Sequence, residues 1–491
     1  MYIPCYDNVF NSRICDNHIG NIKYLSDRYR ILVYNGSLNL FKHFQNITTI
    51  TFNSFRLTIM NNTDFNAFAL ATPHAGELAQ IYGAFKALSD ISGISYNNEH
   101  LFLLPKGVEH ISDIRDTIAY SKYASYEDFR QDIFEMLSVF LQKAPFVPKI
   151  FIIAYNQSDN KLAESNIDMM CRVVKEYYKE HKLGQIFTTV LTSRLHKYKY
   201  VDLINVPKHL LTFNSRIRLL RNQGLRKKTL VTIGTINNFN RRTVNEKKQE
   251  LLKKLEQLAQ DSQLAPVAAK LNNFINTTKK IVICLGGRVE GPEIVFDVNF
   301  AKKIYADAEK LSQSGYGVVI VNGPRTPNDV TDYLFEQTQH NPQIIFQNSK
   351  KIAESDEDRT PQRWRIYSGK NEAIFKELQK LGNIYPGILG FDNTLAVHTM
   401  DSFSSCETAN AAIPTAICSD GLYIDPQVRY DCLNLKELLC PKYAADWDEF
   451  VRFARNMRIE PKDLNPQVLS SPLRVFAETL INKINSQNKK R

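Results

Sequence analysis

Cysteine is scarce and scattered: eight residues in 491, at positions 5, 15, 171, 284, 406, 418, 432 and 440. None forms a Cys-x-x-Cys pair, which speaks against a zinc site, and so long and cysteine-poor a chain does not read as a disulfide scaffold. Cys171, Cys284 and Cys418 sit in apolar surroundings that suit buried free thiols. Long apolar runs are also missing. Stretches such as Ile150–Tyr155 and Ile281–Leu285 are strand-sized, well short of the ~18 residues that a membrane helix needs. The N-terminus has neither a basic region nor an apolar run, so no secretory signal is expected and the expected location is cytoplasmic. Two phosphate-binding signatures are absent as well. Without Gly-x-Gly-x-x-Gly or Gly-Lys-Ser/Thr, neither hydride transfer nor P-loop hydrolysis is indicated.

What is present is a globular composition, 43% hydrophobic and 23% charged, over a length that suits two or three domains. The net charge is +11, and it is uneven. Arg216, Arg218, Arg221, Arg226, Lys227, Lys228, Arg241 and Arg242 crowd one stretch, and a lysine-rich segment follows. That balance favours anionic partners, whether nucleotides, phospholipid headgroups or nucleic acid. The bland alternative is a solvated surface. Nucleic acid ranks last, because the basic stretch lacks interleaved aromatics and a known module.

After an N-terminal extension with short β-like runs at Ile31–Tyr34 and Thr48–Phe52, strands alternate with helices. That alternation predicts an α/β fold with parallel sheets covered on both faces. Phe68–Ala71 reads as a strand, Thr72–Gly76 as a loop, and Leu78, Ile81, Phe85 and Leu88 as a buried helical stripe. Lys149–Ala154 and Val201–Pro207 read as further strands. A helix over 243–260 is predicted to start at a capping box of Thr243 and Glu246. A second doubly wound unit then begins, with strands at Lys279–Leu285 and before Gly323. The expected organisation is an extension over 1–60, a Rossmann-like domain over 61–242, a linker helix region over 243–275, a second Rossmann-like domain over 276–430 and a helical segment over 431–491.

Ligands on such sheets sit at the C-terminal ends of the strands, and the informative residues lie there. Gly286-Gly287-Arg288 follows a strand, and glycines let backbone N–H groups approach a phosphate. Taken alone, the pair also fits a plain turn. Asn322–Pro327 reads as a helix start, with Thr326 as N-cap, Pro327 at the first helical position and Asp329 in the first turn. That reading leaves Arg325 unexplained, an arginine beside a helix N-terminus where an anion is stabilised. In Thr399–Glu407, Ser404 and Glu407 have capping-box spacing, and Asp401 suits an Asx turn. The same hydroxyls and carboxylate suit a nucleoside diphosphate, with Ser402 and Ser404 on the phosphates and Glu407 on the ribose. Spacing alone leaves the two readings level.

From about residue 68 to 420 the chain resembles the mitochondrial-fission "elongated mitochondria" family, whose fold is of the GT-B glycosyltransferase type. The resemblance rests on Asn383-Ile-Tyr385 followed by Thr399-Met-Asp401-Ser402-Phe-Ser404-Ser-Cys-Glu407, continuing through Ala411-Ala-Ile-Pro414. Gly286-Gly287, Gly323-Pro-Arg325-Thr326-Pro327, Val231–Asn237, Pro207-Lys-His209 and Gly76-x-x-x-Gln80-x-x-Gly83 follow in family order. Departures are Leu210 in place of an aspartate, Gly323 in place of a serine, Glu407 one position early and Ala411-Ala-Ile in place of Ala-x-Gly-Lys.

The resemblance implies two facing Rossmann-like domains, with a nucleotide-sugar donor held by the C-terminal one and an acceptor, lipid-linked or glycan, against the N-terminal one. It implies transfer without a bound metal or cofactor. On that reading Gly286, Gly287, Arg288, Gly323, Arg325, Thr326, Asp401, Ser402, Ser404 and Glu407 hold the donor. Arg325 or Arg288 meets the leaving-group charge. The base comes from His74 or Glu77, with His209 as second choice. The rival reading is a non-catalytic GT-B-like binding or recruitment protein at a membrane, favoured by the lost aspartate after His209.

Overall fold

Ile150–Tyr155, Phe187–Thr192 and Tyr316–Val321 are buried along their whole length, as strands inside a sheet covered on both faces must be. The computed structural model describes residues 65–72, 75–104, 123, 125–144, 147–155, 161–262, 265–286, 296–323, 326–339, 341, 343–348, 365–366, 383–399, 402–418, 446–456 and 472–488. The expected N-terminal extension lies outside the described residues.

The first sheet holds β1 (Ala67–Leu70), β2 (Leu101–Phe102), β3 (Ile150–Tyr155), β4 (Phe187–Thr192), β5 (Leu203–Pro207) and β6 (Thr229–Thr232). Their spatial order is β2-β1-β3-β4-β5-β6, all parallel. One face carries Phe68, Phe151 and Ile153, covered by α2 (Tyr126–Lys143) and α3 (Lys161–Glu180) through Phe129, Ile133, Leu137, Met170 and Val174. The other carries Ala67, Ala69 and Ile152, covered by Leu78, Ile81 and Leu88 of α1 (Ala75–Ser92). The predicted stripe of α1 is the one that packs. Between β5 and β6 run α4 (Phe213–Arg221) and α5 (Gln223–Lys228).

The second sheet holds β7 (Lys279–Leu285), β8 (Tyr316–Val321), β9 (Ile344–Asn348), β10 (Arg365–Ile366), β11 (Thr394–Thr399) and β12 (Thr415–Ile417), in the order β10-β9-β8-β7-β11-β12. Only the edge strand β10 is antiparallel to its neighbour. Ile281, Ile283 and Ile320 face α8 (Val298–Gln313), α9 (Asn328–Gln339) and α12 (Trp447–Arg455). The intervening Val282, Cys284 and Val319 face α6 (Arg241–Ala259), α7 (Ala265–Asn276) and α10 (Tyr385–Ile388). The fold is therefore α/β with two parallel sheets, as expected.

In the helices over 241–276, Val244, Leu251, Leu255 and Leu271 form a layer against the second sheet. One expectation needs correction. The cap of α6 is Asn240, whose extended backbone lets its side chain accept the Thr243 N–H at 2.9 Å, while Glu246 pairs with exposed Arg242 instead. The two C-terminal helices pack on different sheets. Trp447 of α12 donates to buried Asp307 of α8 at 2.8 Å, whereas Phe476, Leu480 and Ile484 of α13 (Pro472–Asn488) return to the first sheet. No helix among the described residues is long and apolar enough to cross a membrane.

Glycine sets one approach between the layers. A Cβ on Gly83 of α1 would lie 2.6 Å from the Asn237 backbone, just after β6. Only a residue without a side chain allows that contact.

Candidate functional site

In the second sheet, β7 is followed in sequence by β8 and β9 on one side, whereas β11 pairs on its other side. The order reverses between β7 and β11, and a crevice opens at such a switch point beyond the strand ends. The ends of β7, β8 and β11 are linked there by hydrogen bonds. Gly286 N–H donates to the Thr399 carbonyl at 2.7 Å. Thr326 Oγ1 donates to the Gly286 carbonyl at 3.1 Å and accepts the Gly323 N–H at 2.9 Å. Thr326 is buried, and its hydroxyl thus joins the two glycine loops. It is not the expected side-chain cap of α9. The first helical bond of α9 runs from Thr331 N–H to the Pro327 carbonyl, so Pro327 holds the cap position.

From β11 the chain enters α11 (Ser402–Asn410). The capping-box reading of Ser404 and Glu407 does not hold, because the helix begins two residues before Ser404. Ser404 Oγ instead lies 2.9 Å from Nδ1 of His398, the fifth residue of β11. Nε2 of His398 lies 3.0 Å from Thr408 Oγ1, which accepts from Thr415 of β12 at 3.0 Å. His398 is fully buried, and burial pushes its pKa down to about 3. A neutral imidazole, one nitrogen donating and one accepting, therefore ties α11 to two strands. Glu407 is half-buried on the same helix.

α11 also meets the segment that follows β6. Asn410 Nδ2 donates to the Thr235 carbonyl at 3.4 Å. A Cβ on Gly234, at φ +81°, would be in ordinary van der Waals contact with Cys406 Sγ at 3.6 Å. Gly234 and Thr235, just after β6, thus lie against the helix that carries Ser404 and Glu407. None of His398, Cys406 and Asn410 is a named position of any motif; the one local signal is the histidine that ends the apolar run Leu395–Val397.

Glu77 is buried in the first turn of α1 and accepts from Thr72 Oγ1 at 2.5 Å. His209 is buried just after β5, and burial lowers its pKa to about 3. So low a value suits a neutral ring and makes a weak base at neutral pH. His74, Gly287, Arg288, Arg325 and Asp401 lie outside the described residues, as does the side chain of Ser402.

Residues 173–356 match the model of a family described as mitochondrial fission ELM1. That is the family to which the motifs pointed. The matched stretch holds Pro207–His209, Val231–Asn237, Gly286–Gly287 and Gly323–Pro327, and leaves Thr399–Glu407 outside it. No curated protein matches the chain in sequence. Among solved structures it is similar to a Methanocaldococcus jannaschii UDP-GlcNAc 2-epimerase in complex with UDP-GlcNAc and UDP, at 12% identity and a TM-score of 0.38, covering 86% of this chain and 99% of that one. A UDP-forming trehalose-phosphate synthase from Burkholderia xenovorans gives 11%, 0.39, 86% and 99%. MurG of Acinetobacter baumannii gives 9%, 0.36, 86% and 99%. The architecture, two largely parallel sheets each covered by helices on both faces, rests on the two strand orders described above.

Proposed function

We propose that this chain is a GT-B-type glycosyltransferase that holds a nucleoside-diphosphate sugar at the switch point of its second sheet. The observation that carries the reading is the hydrogen-bonded junction of Gly286, Gly323, Thr326 and Thr399 at three strand ends, beside the start of α11. Backbone N–H groups of glycine loops and of a helix N-terminus suit a diphosphate. Arg288 and Arg325 each stand two residues beyond one of these glycines in sequence and would bring positive charge to the diphosphate. In the transfer, the acceptor oxygen forms a bond to the anomeric carbon as the bond to the diphosphate oxygen breaks. The acceptor proton goes to a base, for which His74 is the first choice, and the nucleoside diphosphate leaves with its charge met by the arginines.

Calorimetric titration with nucleoside diphosphates tests the donor site. Glu407→Gln is expected to weaken binding while leaving the melting temperature unchanged; unchanged binding with a lower melting temperature would give Glu407 a purely structural role. The second reading, a binding or recruitment protein, is favoured by Leu210 standing where the family has an aspartate. Nucleotide binding without diphosphate release from any of a panel of nucleotide-sugars supports that reading over the first.

A further inference from the structure

The connection between β5 and β6 is chemically one-sided. Between Asp202 and Glu246 the chain contains no aspartate or glutamate but nine lysines and arginines. Six of these, from Arg216 to Lys228, lie on α4 and α5. Among the described residues none of the six is ion-paired; Arg218 instead caps the Leu195 carbonyl, and Lys228 the Lys199 carbonyl. These bonds bring the loop with exposed Lys197 and Lys199 beside them. Asp202, the acid that precedes this stretch in sequence, is already paired with Lys175 at 2.8 Å.

The same helix shows apolar side chains to solvent. No residue of α4 is buried, and only its partly buried Leu219 packs against the first core. Phe213 is 72% exposed and Leu220 76% exposed, the two most exposed large hydrophobic side chains among the described residues. Seven positions apart, they share one face of the helix, flanked by Arg216 and Arg221. An apolar pair inside a cationic rim matches the boundary between acyl chains and anionic headgroups. Nucleic acid rewards the cations but offers an aliphatic leucine nothing, so the apolar pair favours a bilayer.

We infer that α4 and α5 form a membrane-docking surface, with Phe213 and Leu220 entering an anionic bilayer and the arginines and lysines on its headgroups. The inference is independent of the proposed transfer reaction. Flotation of the full chain with phosphatidylcholine vesicles, with and without phosphatidylserine, tests it. The protein is expected to float with the anionic vesicles only. Phe213→Ser with Leu220→Ser is expected to lower partitioning on the order of tenfold, and Arg216→Gln with Arg221→Gln about fivefold for each cation. All four side chains are well exposed, so the melting temperature serves as a folding control and should not move. Fluorescence of Phe213→Trp should be quenched by brominated acyl chains. Equal binding to neutral and anionic vesicles, or no binding to either, overturns the inference. So does a partitioning that the two serines leave unchanged, or tight binding to an oligonucleotide that depends on the arginines alone.

Discussion

The imidazole of His398 spans α11, its Nδ1 2.9 Å from the Ser404 hydroxyl and its Nε2 3.0 Å from the Thr408 hydroxyl. A buried ring on the strand thereby holds α11 against β11 at two hydroxyls about one helical turn apart.

That arrangement makes stability depend on pH. His398 and His209 both have pKa values lowered to about 3 by burial. In the unfolded chain each takes up a proton near the ordinary imidazole value of about 6.5. Below it the unfolded state binds more protons, so stability is full above that pH and falls as the medium is acidified toward 3. The slope is about 1.4 kcal/mol per pH unit for each histidine. Urea unfolding at pH 7 and pH 5 checks this: His398→Gln should lose about 2 kcal/mol less than wild type over that interval. Parallel losses in the two proteins would show that His398 does not titrate on unfolding.

Gly83 and Gly76 should respond oppositely to alanine. At Gly83 the new Cβ would sit 2.6 Å from the Asn237 backbone, so Gly83→Ala is expected to cost about 1–3 kcal/mol as α1 and the loop after β6 are forced apart. Gly76, exposed in the first turn of α1, has nothing within 4 Å. There alanine is expected to be neutral or stabilising by up to about 1 kcal/mol through helix propensity. Thermal melts of the two variants decide; equal effects would mean that the close approach has no energetic weight.

Thr326→Val preserves shape while removing the hydroxyl that joins Gly286 to Gly323. The Gly323 N–H loses its acceptor, and the expected cost is about 1–3 kcal/mol of stability. Nucleoside-diphosphate affinity is expected to fall with it, because both glycine loops are then less constrained. Calorimetry showing full affinity in a destabilised variant would separate this junction from the donor site.

The base should be separable from the donor site. His74→Ala is expected to abolish transfer and leave nucleotide affinity intact. Glu77→Gln should have the smaller effect on turnover, since Glu77 is buried and bonded to Thr72. Single-turnover measurements with the cognate acceptor check both, and full activity in His74→Ala would remove that residue from the mechanism.

The repeating units of strand, loop and helix were legible in the residues themselves, because the period of apolar positions is a local property. So were Gly286, Gly323 and Thr326 at strand ends. The stripe of α1, at Leu78, Ile81, Phe85 and Leu88, packs where its spacing placed it. What only the tertiary structure decided is which strands are neighbours and which polar groups meet. The reversal of order between β7 and β11 depends on contacts between residues more than a hundred positions apart, such as Ile283 with Val397. Thr326 reads locally as a helix cap, yet its hydroxyl binds a carbonyl forty residues away. A capping pattern records only that a short polar side chain stands beside a turn, and the partner it takes is the one that folding brings within reach. Nothing local to His398 states its role, which exists only with β11, α11 and β12 packed around it. The return of α13 to the first sheet has the same origin: an apolar helical face states that it must be covered, and the assembled core alone states by what.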